Sequence, residues 1–412
     1  MKLLWLCNMM PGILKGGSGG LWVDHVLEDL RKLDIQIRIL CPGDGSQGSV
    51  DDKCSYGTFV RCVPHSYPGN LEGVFRKELE TFQPDVIHIW GTEYGHTLAM
   101  AKAAQMTDLL DRTVVSIQGL CSIYTGHYAE GVPESVQKGY TFRDLMRQDN
   151  IRRQQGKFAM RGSMEVSALR LIRHVIGRTD WDLACTSQFN PQAQYHFCNE
   201  TLRTCFYQDR WEYENCIKHR IFASSCAYPV KGFHYLLKAF AEVVRVYPDA
   251  TLAVTGRSFL PDGFAGKLRQ NSYERYLAKL VKQYSLEGKI EFLGSLSAQQ
   301  MKEEYRKANA FVLPSTIENS PNSLGEAMLL GVPCVASDVG GVSNLMVHGK
   351  EGYVYQSTAP YMLAHYIKQV FSREAEAANM GAAAREHACM THDPRKNLQD
   401  LLKIYQTLAK EA

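Results

Sequence analysis

The chain has 412 residues, enough for two to three domains, each with its own core. Hydrophobic residues make up 45% and charged residues 22%, as in an ordinary globular protein, and no apolar run is long enough for a membrane-spanning helix. The net charge is only +3, and the twelve cysteines form neither a Cys-x-x-Cys pair nor a zinc-like spacing with histidine, which fits a reducing cytoplasm.

In chain order, MKLLWLCNMMPG reads as a first β-strand rather than a signal peptide, since it lacks both a full apolar core and a small-residue cleavage site. The loop Pro11–Gly20 holds five glycines and opens a helix over 21–33, with apolar residues at 22, 23, 26, 27, 30 and 33. It is no dinucleotide fingerprint, because Trp22 stands where a third glycine is required. IQIRILC, PDVIHIW and RTVVSIQG follow as buried parallel strands. His88 ends one of these, Glu93 lies in the next loop, Gln118 ends another, and His127 falls on the loop beyond. At the carboxyl ends of parallel strands, such residues are candidates to face a ligand.

From Lys138 to Arg178 ten Lys or Arg face three acids. Two readings stand: a solvated helical face, or a surface for anionic lipid headgroups or a lipid-diphosphate acceptor. No interleaved aromatics suggest a nucleic-acid platform, so nucleic acid is not expected as a partner. The stretch 190–216 lacks clean periodicity and reads as a domain boundary. HRIFASS, ATLAVTG, KIEFLG, NAFVLPS and VPCVASD are a second set of strands, with helices near 232–247, 272–285, 298–308 and 322–330. A last helix, 397–409, follows a break at Pro394.

The most informative stretch is PSTIENSPNSLGEAMLLGVPCVASDVGG, from Pro314 to Gly341. Glu318 and Glu326 lie eight positions apart across the start of a short helix. Ser320 is its expected N-cap and Pro321 its first helical residue, which leaves the amides of Asn322, Ser323 and Leu324 aimed ahead of the helix. Gly331 and Pro333 stop it. A helix N-terminus with free amides attracts anions, phosphate above all, and two flanking carboxylates can take hydroxyl groups.

This segment resembles the Glu-x7-Glu motif of the family-four retaining glycosyltransferases, and PCVASDVGG and HGKEGYVY resemble the parts that follow it there. The resemblance implies two facing doubly wound Rossmann-like α/β domains, the GT-B arrangement, with an interdomain cleft. Residues 1–205 would bind the acceptor, 206–393 the nucleotide-sugar donor, and 394–412 would pack back on the first domain. It further implies that Glu318 meets the donor sugar, that Asn322 and Ser323 hold the diphosphate, with Leu324 beside them on the donor side, and that Glu326 takes the ribose diol. Lys231, in YPVKGF, resembles the family lysine that stabilises the leaving diphosphate, and Gly19 and Gly20 would lie beside the phosphates.

Two positions depart from the family. Cys226 stands where an arginine is usual, with Arg257 as the candidate replacement, and Gln118 stands where a histidine is expected. Glu318, Lys231 and His127 are the candidate catalytic residues; His88, Glu93 and Gln118 are assigned to the acceptor side. No Asp-x-Asp metal motif is suitably placed, so no metal or other cofactor is expected, only the nucleoside-diphosphate sugar as substrate. The implied function is retaining sugar transfer to a glycan or lipid-linked acceptor, in surface polysaccharide or glycoconjugate assembly, in the cytoplasm or at the inner membrane face. A nucleotide-sugar epimerase of the same fold, or a non-catalytic partner subunit, remains the alternative.

Overall fold

The structure is a computed structural model that describes residues 1–15 and 22–410. It divides into two compact units. The first comprises residues 1–125, 157–203 and 392–412; the second comprises 126–156 and 204–391.

Among the described residues, the first unit is built on eight strands: β1 (Lys2–Cys7), β2 (Gln36–Gly43), β3 (Gln47–Ser49), β4 (Cys54–Val60), β5 (Val86–Trp90), β6 (Thr113–Ser116), β7 (His174–Gly177) and β8 (Gln194–Phe197), in the order β3-β4-β2-β1-β5-β6-β7-β8. All neighbours are parallel except the β3–β4 pair. Strand β1 shows why the sheet is buried on both faces. Leu4 and Leu6 enter one core with Phe75 and Met100, while Leu3, Trp5 and Cys7 enter another with Leu27, Leu401 and Tyr405. Alternate residues point to opposite faces, so a strand apolar at every position needs a layer on each side.

The last helix, Pro394–Lys410, supplies part of the second of these layers. Pro394 begins it rather than interrupting the chain before it. A proline in the first turn has no amide to lose, and Asp393 accepts from the amides of Arg395 and Lys396 at 2.9 Å each.

The second unit has six parallel strands: β9 (Arg220–Ala223), β10 (Thr251–Val254), β11 (Ile290–Phe292), β12 (Ala310–Leu313), β13 (Cys334–Asp338) and β14 (Tyr353–Gln356). Their order is β11-β10-β9-β12-β13-β14. The expected helices appear as Phe233–Val244, Ser272–Gln283, Ala298–Lys307 and Asn322–Leu330.

Residues 126–156 are tied into this second unit. Ser272 donates its amide to Asp144 at 2.8 Å and its hydroxyl to the Gly139 carbonyl at 3.1 Å, and His234 Nε2 lies 3.0 Å from the Glu130 carbonyl. A single cut at 205/206 therefore misplaces this segment. The observed division also splits the basic stretch, since 138–156 falls in the second unit and 157–178 in the first.

Candidate active site

The carboxyl ends of β9, β12 and β13 lead into three loops of the second unit; Lys231 stands on the first and Glu318 on the second, while Arg257 follows β10. After β9 the chain makes a 3-10 turn, Pro229–Lys231, and Gly232 follows in the left-handed region with φ +62°. A side chain there would put its Cβ 1.7 Å from the Pro314 carbonyl oxygen, so the two loops can approach only at a glycine. Thr316 fastens the same junction, donating its amide to the Val230 carbonyl at 2.8 Å and its hydroxyl to the His127 carbonyl at 3.0 Å.

This approach brings Lys231 to Glu318, Nζ to Oε1 2.7 Å. Ser315 Oγ donates to the same oxygen at 2.7 Å. Burial opposes a charged ammonium at Lys231, but the charge of Glu318 and the Tyr228 phenol outweigh it and hold the lysine above its ordinary pKa. The ammonium has three N–H donors and Glu318 takes one of them.

Glu318 is positioned by its backbone as well. Its carbonyl accepts from the Gly341 amide at 3.2 Å, and Gly340, at φ +52°, passes so close that a Cβ would sit 1.8 Å from that oxygen. The Gly-Gly loop after β13 is thus a seat for Glu318.

The helix Asn322–Leu330 begins one residue later than expected. Pro321, with ψ 111°, is the N-cap rather than the first helical residue, and no side chain caps the helix, so Ser320 does not serve. The Leu324 amide donates to the Pro321 carbonyl at 2.9 Å and is not free. The amides of Asn322 and Ser323 have no acceptor among the described residues, leaving two N–H groups at the positive end of the helix dipole. Ser323 is held from behind by Tyr305, whose hydroxyl donates to its carbonyl at 2.9 Å. Glu326 lies in the second turn, buried to 4% exposure.

Other expectations change. Arg257 is paired with Glu274, although its own side chain is 65% exposed. Cys226 is buried, its thiol directed at the Thr255 carbonyl and its pKa pushed up to about 12 by burial, so nothing cationic stands at that position. His127 ends a helix, Cys121–His127, and belongs with the second unit; its Nδ1 lies 2.9 Å from Glu130. Gly19 and Gly20 lie outside the described residues.

Among the acceptor-side assignments, His88 meets the clearest correction. His88 is fully buried inside the first unit, with Nδ1 2.6 Å from Tyr405 Oη, Nε2 2.7 Å from Ser116 Oγ and its ring stacked on Trp90. Burial lowers its pKa to about 3. With both nitrogens engaged and no exposure, it is a core residue. Gln118 donates to Glu200 at 2.6 Å, and Glu200 is paired with Arg178. Glu93 accepts from Asn8 at 2.9 Å, and burial raises its pKa.

Sequence reasoning missed Glu165, which accepts from Thr92 Oγ1 at 2.8 Å, the Cys121 and Ser122 amides and Ser122 Oγ at 2.7 Å, with its pKa raised by burial to about 7. It stands between Met164 and Val166 in the helix Ile151–Leu171, where no local pattern marks it out.

Residues 218–387 match the family described as glycosyl transferases group 1. A D-inositol 3-phosphate glycosyltransferase of Corynebacterium urealyticum is 25% identical over 179 residues, 43% of this chain and 41% of that protein. Spore coat protein SA of Bacillus subtilis is 24% identical over 179 residues, 43% of this chain and 46% of that protein. The chain thus spans less than half the length of these curated relatives.

Among solved structures, sucrose-phosphate synthase of Thermosynechococcus elongatus superposes with a TM-score of 0.73 at 16% identity, covering 100% of both chains. Anabaena HepE, in complex with UDP and glucose, gives 0.69 at 18% identity over 99% of this chain and 100% of its own. The two parallel-sheet units are those of the GT-B fold, and residues 218–387 are similar to the group 1 glycosyl transferases.

Proposed function

We propose that the protein transfers a sugar from a nucleoside diphosphate to an acceptor hydroxyl with retention of the anomeric configuration. The observation that carries this reading is the Lys231–Glu318 pair set beside the two free amides of the helix Asn322–Leu330. Two of the three Lys231 donors and the amides of Asn322 and Ser323 would meet the diphosphate, and Glu318 would meet the sugar. Glu326, one turn further along the helix, would take the ribose diol.

As the bond between sugar and diphosphate breaks, charge grows on the leaving phosphate, and fixed N–H dipoles with an ammonium stabilise it in place. Lysine and helix dipole supply this positive charge, so we propose that no metal is required. Anabaena HepE, whose fold the chain shares, was solved with UDP and with UDP-glucose, which favours a uridine nucleotide as the first donor to try. The acceptor we propose is a glycan or lipid-linked intermediate of surface polysaccharide or glycoconjugate assembly.

The test is incubation with UDP-, GDP- and ADP-sugars, with and without acceptor and with EDTA. Transfer unaffected by EDTA and giving the donor's anomeric configuration is expected. Donor conversion without any acceptor would instead favour an epimerase, and no binding of any nucleotide a non-catalytic subunit. Cys226 at the customary arginine position is the feature that keeps the last reading in view.

A further inference from the structure

Two short helices of the second unit pack together and expose large apolar side chains. In Phe142–Arg147 these are Phe142, Leu145 and Met146, 55%, 61% and 71% exposed. In Gly263–Arg269 they are Phe264 and Leu268, 78% and 38% exposed. The spacing i, i+3, i+4 in the first helix and i, i+4 in the second puts each set on one face.

The opposite side of the first helix is fixed. Thr141 and Asp144 form a capping box, and Asp144 is fully buried and accepts from the Ser272 amide and hydroxyl. The apolar face therefore cannot turn inward. Folded monomers rarely leave such groups side by side in water.

Their surroundings are cationic. Residues 140–153 and 263–269 hold six Lys or Arg (143, 147, 152, 153, 267, 269) and two acids, Asp144 and Asp149, a net of +4. Of these acids, Asp144 lies beneath the helix. Apolar side chains rimmed by arginine and lysine are the composition of a segment that lies in a bilayer interface, where the apolar groups enter the acyl boundary and the cations stay with the headgroups.

We propose that this paired-helix face docks the protein on an anionic lipid surface, with Phe142, Leu145, Met146, Phe264 and Leu268 inserted and Arg147, Lys267 and Arg269 at the headgroups. Anionic lipid is favoured over a protein partner because six Lys and Arg on flexible side chains outnumber the acids of the rim, Asp149 and Asp262. The inference does not rest on the transferase reading, since vesicle binding requires no nucleotide sugar.

The experiment is co-sedimentation of the full chain with phosphatidylcholine vesicles, with and without phosphatidylglycerol, at low and high salt. Binding is expected only on the anionic vesicles, weakening as salt rises. The double variant Phe142→Ser/Phe264→Ser should bind at least about tenfold less at an unchanged thermal midpoint, because two large apolar groups leave the interface. Arg147→Glu/Lys267→Glu should lose the preference for anionic lipid. Trp emission of Phe264→Trp should shift to the blue with vesicles and be quenched by brominated lipid. Absent binding, equal binding to neutral vesicles, or variants that bind like the parent overturn the proposal. So does a dimer in light scattering that the serine variant dissolves, which would make a second copy the occupant.

Discussion

Lys231 and Glu318, 87 residues apart in sequence, meet at 2.7 Å where the loop after β9 crosses the loop after β12. The pair holds two charged groups where either alone would be costly, Glu318 being only 9% exposed at its side chain and Lys231 26%. Removing the lysine as Lys231→Ala should lower stability by about 1–3 kcal/mol, less than a fully buried pair because solvent reaches the ammonium. Lys231→Ala/Glu318→Gln should lose less than the sum of the single variants in a denaturant-unfolding cycle. Strict additivity would mean that the two side chains do not depend on each other.

Glu326→Ala is expected to weaken nucleoside-diphosphate binding by about 2–3 kcal/mol, since hydrogen bonds to a charged acceptor are worth about 1.5–3 kcal/mol each. Calorimetric titration reads this directly. Glu318→Ala should instead depress turnover and leave affinity for the free diphosphate nearly intact. Unchanged affinity in the first variant, or equal losses in both assays for the second, would remove the assigned division of labour.

Gly232 separates backbone strain from steric conflict. Gly288 also has a positive φ, +75°, but a Cβ there would meet nothing within 4 Å. Gly288→Ala should therefore cost only the left-handed penalty of about 1–2 kcal/mol. Gly232→Ala adds the collision with Pro314 and should cost more than twice as much, or abolish soluble expression. Similar melting temperatures for the two variants would show that the loops yield freely.

Acid should destabilise the protein through its buried histidines, with Glu165, raised to about 7 by burial, opposing part of that loss between about pH 7 and 4.5. Burial lowers His88, His96 and His234 each to about 3. Their folded pKa lies below the unfolded value of about 6.5, so the unfolded chain takes up protons first and stability falls as pH drops from about 6.5 towards 3. At pH 5 each contributes about 2 kcal/mol of loss. Urea unfolding at pH 7.5 and pH 5 measures the sum, and His88→Phe should reduce the difference. A slope indifferent to that substitution would place the acid sensitivity elsewhere.

The parts of this architecture set by local pattern were readable in sequence. The apolar runs at 2–7, 36–41, 86–90 and 310–313 are strands, and the helix over 322–330 ends at Gly331, with φ +81°. What escaped depends on partners distant along the chain. Strands β7, β8 and β14 read HVIG, QYHF and YVYQ, short runs with polar residues or glycine in which no continuous apolar run stands out. His88, expected at a strand's end and facing a ligand, is the middle residue of β5, and nothing nearby in sequence announces Tyr405 beside it. The start of the helix Asn322–Leu330 shifted by one residue because Pro321 suits either side of the boundary. The meeting of Lys231 with Glu318 depends on Gly232, whose need for glycine is set by Pro314, eighty-two positions on.

The bond from Trp5 Nε1 to Tyr405 Oη, 3.2 Å long, joins residues 400 positions apart. Leu401, Ile404, Tyr405 and Leu408 complete a core whose other members lie in the first two hundred residues. On the ribosome, the first sheet must therefore wait with one face uncovered while residues 204–391 are made. At about 5–20 residues per second this is a delay of roughly 10–40 s, during which the second unit can fold and the first cannot finish. Synthesis order and folding order are reversed here, which makes the helix Pro394–Lys410 the step that commits the molecule and its exposed precursor the form that chaperones would meet.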